Sequence, residues 1–539
     1  MDIVLLLKTN IQNALAKLGQ EVSLNDIIIE KSKDTTHGDY ASNAAMKFSR
    51  LFAKSPRDVA SLIVANLDMN SIDKVEIAGP GFINFFMKND SLQAYVAKII
   101  KDNENYGRNE SKNQKVNVEF VSANPTGLLH VGTARGAAIG DSICRILNYA
   151  GYDVTREYYI NDAGSQITNL ALSIQARYRE LFGLPFAIPE DGYEGYDIVE
   201  IAQTIKDEIG DDALKMSDPV SYFKERGMKI ELDRIVKDLN TFRVNFDVFS
   251  SEKAIRADNA IEKELDFLKP YVYEQDNALY LKTTAFVDDK DRVVKKSNGD
   301  YTYFMPDICY HVNKMSRGFD FIIDVLGADH HGYINRMKSA LMMHGYKEDA
   351  LHVELIQMVR FIKDGKEFKA SKRKGDAITL RDVCEEVGVD AMRYFFAMRA
   401  ASTHLDFDMD LAIEQSSNNP VYYAQYAHAR LCSILEQGKD IALDESAKLL
   451  KETSEMALLK HLADFGKVIN DAANDKAPYK ITNYIHSLAE LVHVFYNECR
   501  VIDRDNLELS GSRLALVKAS QIVLRNALAL IGVSAPIHM

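Results

Sequence analysis

The stretch that most constrains this chain is Lys115 to Gly151, KVNVEFVSANPTGLLHVGTARGAAIGDSICRILNYAG. Val116, Val118 and Phe120 alternate with polar residues as a half-buried strand does, and Val121 closes the run before the turn-rich Ser122-Ala-Asn-Pro-Thr-Gly127. Ile139, Ile143, Ile146 and Leu147 then fall at helical spacing, and Gly151 stands where a helix C-terminus wants a left-handed residue. His130, Val131 and Gly132 therefore lie where a strand hands over to a helix N-terminus. Free backbone N–H groups and the helix dipole make such a place fit for a phosphate, and Gly132 lets a ligand approach. A loop histidine beside a packing glycine fits the same residues, so the segment needs a partner elsewhere.

The flanking sequence continues the alternation. Asp153 to Ile160 reads as a second strand, followed by the turn Asn161 to Gln166 and a helix through Leu172, which predicts a parallel sheet with right-handed crossovers. That turn is either a helix cap or a ligand loop at a strand C-terminal end. From Gly183 to about Ser251 the pattern is helical, with a hinge at Asp191 to Tyr196, and Ala278–Leu281 and Ala285–Val287 read as strands of an insertion. Asp300 to Asp307 is a candidate ligand loop. Phe319 to Leu326 is the near-continuous apolar run of a central parallel strand, with Asp329, His330 and His331 straight after it. Asp-His-His invites a metal, but no further ligands stand at suitable spacing, so substrate or phosphate contact is the better reading. The partner the opening needs is the basic loop 363–375. There Lys369, Lys372, Arg373 and Lys374 with Ser371 can hold a triphosphate while charge builds on it.

At 539 residues the chain is expected to form about three domains. Residues 1 to about 112 read as a separate α+β unit, with a helix ending at Gly19, a short strand Ile27–Ile29, a helical stretch opening at Gly38 to Asn43, and strands Lys74–Ala78 and Phe82–Phe86. From about Asp410 the chain is helical. Asn418-Asn-Pro420 caps an aromatic and basic helix with the proline at its first position, and periodic segments follow at 457–473, 481–501 and 513–532. A net charge of −13 gives no sign of general nucleic-acid binding but leaves room for a local basic patch that serves a specific partner. The five cysteines are scattered without a Cys-x-x-Cys pair, giving neither a disulfide framework nor a structural zinc site. No apolar run has signal or membrane length, so a cytoplasmic protein with no membrane partner is expected.

His130-Val-Gly-Thr133 is similar to the HIGH signature, and Lys369-Ala-Ser-Lys-Arg373 to the KMSKS signature, of class I aminoacyl-tRNA synthetases. Val118 to Pro125, Asn161-Asp-Ala-Gly164, Gly327 to Tyr333, Asp390-Ala-Met-Arg393 and Asn419 to Arg430 run in family order. As a set they resemble the arginyl-tRNA synthetases. The resemblance implies an α/β fold: a Rossmann-like parallel-sheet catalytic domain with insertions over 113–410, an N-terminal α+β tRNA-binding domain over 1–112, and a C-terminal all-α helical bundle over 411–539 that binds the anticodon. It implies ligation of L-arginine to tRNA(Arg) through an arginyl-adenylate, with ATP as substrate, Mg²⁺ accompanying the ATP, and activation that requires bound tRNA. A monomer is expected.

Carried over residue by residue, the resemblance gives His130, Lys372 and Lys369 catalytic roles and ATP contacts to His130, Gly132, Thr133, Ser371 and Lys372. Glu119, Tyr303 and Asp307 match positions for the guanidinium, and Ser122 and Asn124 those near the substrate's backbone end. Asp329 and His330 are placed at the same pocket, and Tyr422, Tyr426 and Arg430 at the tRNA. A planar guanidinium demands paired acceptors, which this set supplies. Three positions depart from the pattern: Thr133 replaces a second histidine, Ala370 the methionine of KMSKS, and Arg373 its last serine. Gly127 occupies the region where many relatives carry a lysine, so Lys372 is expected to be the catalytic cation. A ligase for another amino acid and a non-catalytic RNA-binding relative remain as alternatives; intact His130, Gly132 and Lys372 argue against the second.

Overall fold

The computed structural model describes residues 3–32, 37–368 and 378–539. Lys369, Ser371, Lys372, Arg373 and Lys374 of the basic loop lie outside them.

Strands β1 (Lys115–Glu119), β2 (Asp153–Ile160), β3 (Val248–Ser251), β4 (Phe321–Gly327) and β5 (Leu351–Ile356) form one sheet in the order β5-β4-β1-β2-β3. All four pairings are parallel. The chain runs outward from β1 to β3, then returns to the other side of β1 with β4. The switch point therefore lies between β1 and β4, and ligands of open α/β sheets bind outside the strand C-terminal ends at that place.

Three readings of the strands are corrected here. β1 is not half-buried: Val116, Asn117 and Val118 are all fully enclosed, so the polar alternation faces a buried network and not water. The segment read as helical to Ser251 ends in β3, a four-residue edge strand too short for a periodic signal. In the insertion, Ala285–Val287 is no strand but follows a 3₁₀ turn at Thr283–Ala285. The three-stranded sheet there uses 272–275, 278–281 and 292–295. Asp276 and Asn277 carry φ of 53° and 59°, the two left-handed residues of a type I′ hairpin.

Helices pack where their apolar faces demand. The N-terminal unit lays the helices Ile3–Lys17 and Pro56–Ala65 against a four-stranded antiparallel sheet, in which Tyr40–Ser42 is a strand and not the start of a helix. Helix α1 (Asn89–Asp102) leaves that unit to pack on the C-terminal bundle. Helix α2 (Ala134–Tyr149) follows β1 and buries Ile139, Ile143, Ile146 and Leu147, each contributing about 1.5–3 kcal/mol. A Cβ on Gly140 would fall 2.4 Å from the Phe120 ring, so the glycine sets how closely α2 lies on the end of β1. Helix α3 (Ser165–Glu180) follows β2, and α4 (Phe304–Ser316) precedes β4.

The bundle consists of α5 (Pro420–Gln437), α6 (Thr453–Ala463), α7 (Phe465–Asp475), α8 (Tyr479–Glu498) and α9 (Leu507–Leu530). The single periodic segment 457–473 is thus two helices, broken at Asp464. That carboxylate accepts from Lys31 at 2.5 Å and Tyr40 at 3.0 Å, tying the N-terminal unit to the bundle. Arg393 is fully buried and donates to Ile531 O, Phe242 O and Asp141 Oδ2 at 2.9, 3.0 and 2.5 Å. Asp390 accepts from Gln425 at 2.9 Å and from Arg243. The Asp-Ala-Met-Arg run is therefore a clamp between the parallel-sheet domain and the bundle.

Candidate active site

At the C-terminal end of β1 the backbone is strained. Val121 and Ser122 have φ of 69° and 41°, and the Ser122 N–H donates to Phe120 O at 3.0 Å, closing a tight γ-turn. Two left-handed non-glycine residues in succession, one β-branched, cost on the order of 1–3 kcal/mol each. The turn sets the Ser122 hydroxyl 2.9 Å from Glu119 Oε1, where it also accepts the Tyr159 N–H at 3.1 Å. Asn124 donates to Gln166 Oε1 at 2.6 Å and so joins the β1 loop to the turn after β2. Asp162, in that turn, accepts from Ser251 at 2.5 Å and from the Lys253 N–H at 2.8 Å, which is a capping role.

Beneath this turn lies a buried polar network that the sequence reading missed. Lys314 of α4 is fully enclosed and donates to Glu119 Oε2 and, at 2.9 Å, to Asp324 Oδ1. His311, one turn earlier, places Nε2 2.7 Å from Asp324 Oδ2 and Nδ1 2.7 Å from the Asp307 carbonyl. Glu157 of β2 accepts from Asn117, Ser250, Tyr310 and Arg317 at 2.6, 2.5, 2.9 and 2.6 Å. Although burial opposes the charge, Lys314 and His311 hold the Asp324 carboxyl well below the ordinary carboxylate range. Burial also opposes the charge of Glu157, and Lys314, Ser250 and Arg317 likewise hold it down. The three carboxylates at the strand ends are thus each already held by protein donors, with Lys314 shared between Glu119 and Asp324. Their signal was present in the sequence, since a charge inside an apolar central strand, such as Asp324, must have a buried partner.

Asp307 is the exception. It sits in the first turn of α4, part-buried, and its carboxylate makes no hydrogen bond or ion pair among the described residues. Burial pushes it up to about 7; His311 and Arg336 pull it down, while Glu119 and Glu252 push it further up. Tyr303, the N-cap residue of the same helix, is 86% exposed. Asp329 and His330 stand on the exposed 3₁₀ turn Ala328–Tyr333 after β4, with His330 Nε2 3.6 Å from the Asp329 carboxylate.

At the start of α2, the free N–H groups expected there are occupied by the chain itself. Gly132 N–H donates to His130 Nδ1 at 2.8 Å, Thr133 N–H to His130 O at 3.0 Å, and Val131 N–H to Ile378 O at 2.9 Å. An imidazole that accepts the Gly132 N–H at Nδ1 carries its hydrogen on Nε2, and desolvation shifts its pKa down. His130 therefore offers Nε2–H as a donor that no described residue uses. A Cβ on Gly132 would stand 2.8 Å from His130 Nδ1, so the glycine permits this ring position. Thr133 spends its hydroxyl on His130 O at 2.8 Å.

Lys369, Ser371 and Lys372 lie outside the described residues, but the residues that leave the basic loop do not. Leu380 N–H donates to Leu129 O at 2.8 Å, and His130 forms an antiparallel bridge with Thr379. The exit of the basic loop is therefore hydrogen-bonded to the His130 segment.

On the bundle, Tyr422 and Tyr426 stack at 6.1 Å, Tyr426 stacks on His493 at 6.1 Å, and Arg430 lies 3.8 Å over the Tyr496 ring while donating to the Tyr426 hydroxyl at 3.2 Å. Tyr426 and Tyr496 are exposed. The structure joins the three predicted residues to His493 and Tyr496, which the sequence reading did not single out because they belong to another helix.

Three family profiles match consecutive parts of the chain: the arginyl tRNA synthetase N terminal domain over 5–87, the class I (R) tRNA synthetase catalytic domain over 95–432, and the DALR anticodon binding domain over 424–539. The arginine–tRNA ligase of Bacillus subtilis is 51% identical over 99% of this chain and 98% of its own, and that of Bacillus velezensis 50% over the same shares. Among solved structures, a putative arginyl-tRNA synthetase from Campylobacter jejuni is similar at TM-score 0.77 and 33% identity, covering 84% of this chain and all of its own. The Thermus thermophilus arginyl-tRNA synthetase reaches TM-score 0.79 at 22% identity over 99% of both chains, a likeness of fold.

Proposed function

The chain belongs to the arginyl-tRNA synthetases, and on that premise we propose how its active site runs the reaction. It is an ATP-dependent arginine–tRNA ligase whose partners are arginine, ATP and tRNA(Arg). The arginine carboxylate attacks the α-phosphate of ATP, pyrophosphate leaves, and a terminal ribose hydroxyl of tRNA displaces AMP from the adenylate to take the arginyl group. Neither step needs a nucleophile from the protein; positioning and charge stabilisation suffice. ATP enters as its magnesium complex.

The neutral His130 donates Nε2–H to the ATP phosphates, with Gly132 and Thr133 shaping the approach, and Lys372, helped by Lys369 and Ser371, steadies the departing pyrophosphate. Glu119 and Asp307 receive the guanidinium with Tyr303 over it, Ser122 and Asn124 hold the backbone end, and Asp329 and His330 line the rim. What supports this reading is the backbone pairing of Thr379 and Leu380 with Leu129 and His130, because it ties the exit of the basic loop to the histidine motif.

Residues 1–112 bind the tRNA elbow, and the bundle 411–539 reads the anticodon loop, with Tyr422, Tyr426 and Arg430 offering ring faces and a cation to unpaired bases. Among the described residues no helix is long and apolar enough to cross a membrane. The enzyme works in the cytoplasm as a monomer.

The test is ATP–pyrophosphate exchange with arginine, with and without tRNA. Exchange that appears only with both supports the reading, and exchange driven by another amino acid overturns the substrate. Lys372→Ala should lower aminoacylation by several orders of magnitude; a value within a few-fold of wild type removes Lys372 from its role.

A further inference from the structure

The far end of α2 opens on a recess of about 550 Å³ between the catalytic domain and the bundle, lined by four arginines. Arg108 comes from the segment before β1, Arg145 from α2, Arg156 from β2 and Arg525 from α9. Arg145 and Arg156 share the buried Asp141 at 2.6 and 3.5 Å, and Arg393 occupies the same carboxylate at 2.5 Å. Three guanidinium groups on one carboxylate leave a surplus of positive charge. Arg108 and Arg525 pair with no carboxylate among the described residues.

Neutral neighbours orient these last two instead. Arg108 lies 4.5 Å over the Tyr149 ring and donates to Asn148 Oδ1 at 3.0 Å, while Arg525 donates to Asn103 Oδ1 at 2.7 Å and to Asn526 Oδ1 at 3.1 Å. One acidic side chain, Glu104, is in the lining. In a chain of net charge −13, a concave recess with this excess of fixed guanidinium forks is complementary to a compact polyanion. Its volume falls in the range of small-molecule sites.

We propose that this recess is a second anion site, distinct from the ATP site, that binds a small phosphate-bearing metabolite carrying two or more negative charges. His130 stands before the N-terminus of α2 and the recess at its C-terminus, and a 16-residue helix spans about 24 Å. A bound phosphate would bridge α2 and β2 of the catalytic domain to α9 of the bundle.

The test is calorimetric titration of the full-length enzyme with inorganic tripolyphosphate, in wild type, in the double variant Arg108→Gln with Arg525→Gln, and in His130→Asn as the ATP-site control. Aminoacylation kcat of the double variant should stay within about twofold of wild type, showing that it is folded. The expected result is a class of sites present in wild type and His130→Asn and weakened at least tenfold in the double variant. Unchanged stoichiometry and affinity in the double variant overturn the proposal. Filter binding of tRNA(Arg) separates the two sources of phosphate. A more than fivefold loss of tRNA affinity with tripolyphosphate binding intact would make the arginines a contact for the tRNA backbone, and the small-ligand site would fall. If the double variant loses its fold, Arg525→Gln alone is titrated in its place, with the same tenfold loss expected.

Discussion

Replacing Asp307 by Asn should make the protein more stable and a worse ligase at once. The wild-type carboxyl is pushed up to about 7 by burial, against about 3.9 in an unfolded chain. A raised acid holds its proton in the folded state while the unfolded chain has lost it, so stability falls as pH rises from about 4 to 7 and is level above that. The difference is worth up to about 4 kcal/mol, at about 1.4 kcal/mol for each tenfold change in proton affinity. Asparagine removes this term, and urea unfolding at pH 8 should show the variant more stable by about 2–4 kcal/mol, with the gap closing below pH 4. Arginine binding should move the other way. A guanidinium needs the ionised form, so wild-type affinity measured by calorimetry should fall about tenfold between pH 8 and pH 6. The variant should bind about 10- to 150-fold more weakly at pH 8, from a lost charge-assisted hydrogen bond of about 1.5–3 kcal/mol, with little pH dependence. A variant that is less stable at pH 8, or that keeps wild-type arginine affinity, would refute the reasoning.

Other perturbations follow from the same contacts. Lys314→Met leaves Glu119 and Asp324 buried without their cation and should cost about 3–5 kcal/mol in urea unfolding at pH 7, a deficit that shrinks as the solution is acidified. Gly140→Val drives a side chain into the Phe120 ring and should destabilise by about 1–3 kcal/mol in the same assay, with lowered kcat because the end of β1 is displaced. Tyr426→Ala removes one stacking face and should raise the KM for tRNA about tenfold while the KM values for ATP and arginine stay within twofold.

The architecture was legible wherever burial follows a period. Asp153–Ile160 and the N-cap at Asn419 were read to the residue, and the buried face of α2 was read from four aliphatic positions. What was lost was lost for local reasons. Val248–Ser251 is an edge strand of four residues, and the apolar period runs on through Asp464, where one helix ends and the next begins. At the site, the motif residues around β1 were visible, but their meaning was not. Glu119 reads as a free acceptor in the sequence, whereas Lys314, 195 positions later, already holds one of its oxygens. No spacing rule connects two residues that meet only because α4 packs beside β1. The N–H groups before α2 read as open, yet the chain fills them with its own carbonyls and the His130 ring.

That pairing scheme also bears on how the pocket chooses its substrate. Glu157 and Asp324 are satisfied by Arg317, Lys314 and His311, and half of Glu119 by Lys314. Glu157 and Asp324 gain little from a ligand cation, while Glu119 keeps room for one at Oε1, which only the neutral Ser122 hydroxyl holds. Asp307 gains most, because partial burial disfavours its charge and no described residue pairs with it. An uncharged isostere such as citrulline, equal in shape to arginine, keeps N–H donors but brings no charge to balance the ionised acid, and loses the charge-assisted part of the hydrogen bond. Discrimination against citrulline should therefore collapse in Asp307→Asn, whose amide side chain has no charge to leave unmatched. Measured as the ratio of kcat/KM for the two substrates, a wild-type preference that survives the substitution would show that selectivity is set at Glu119 alone.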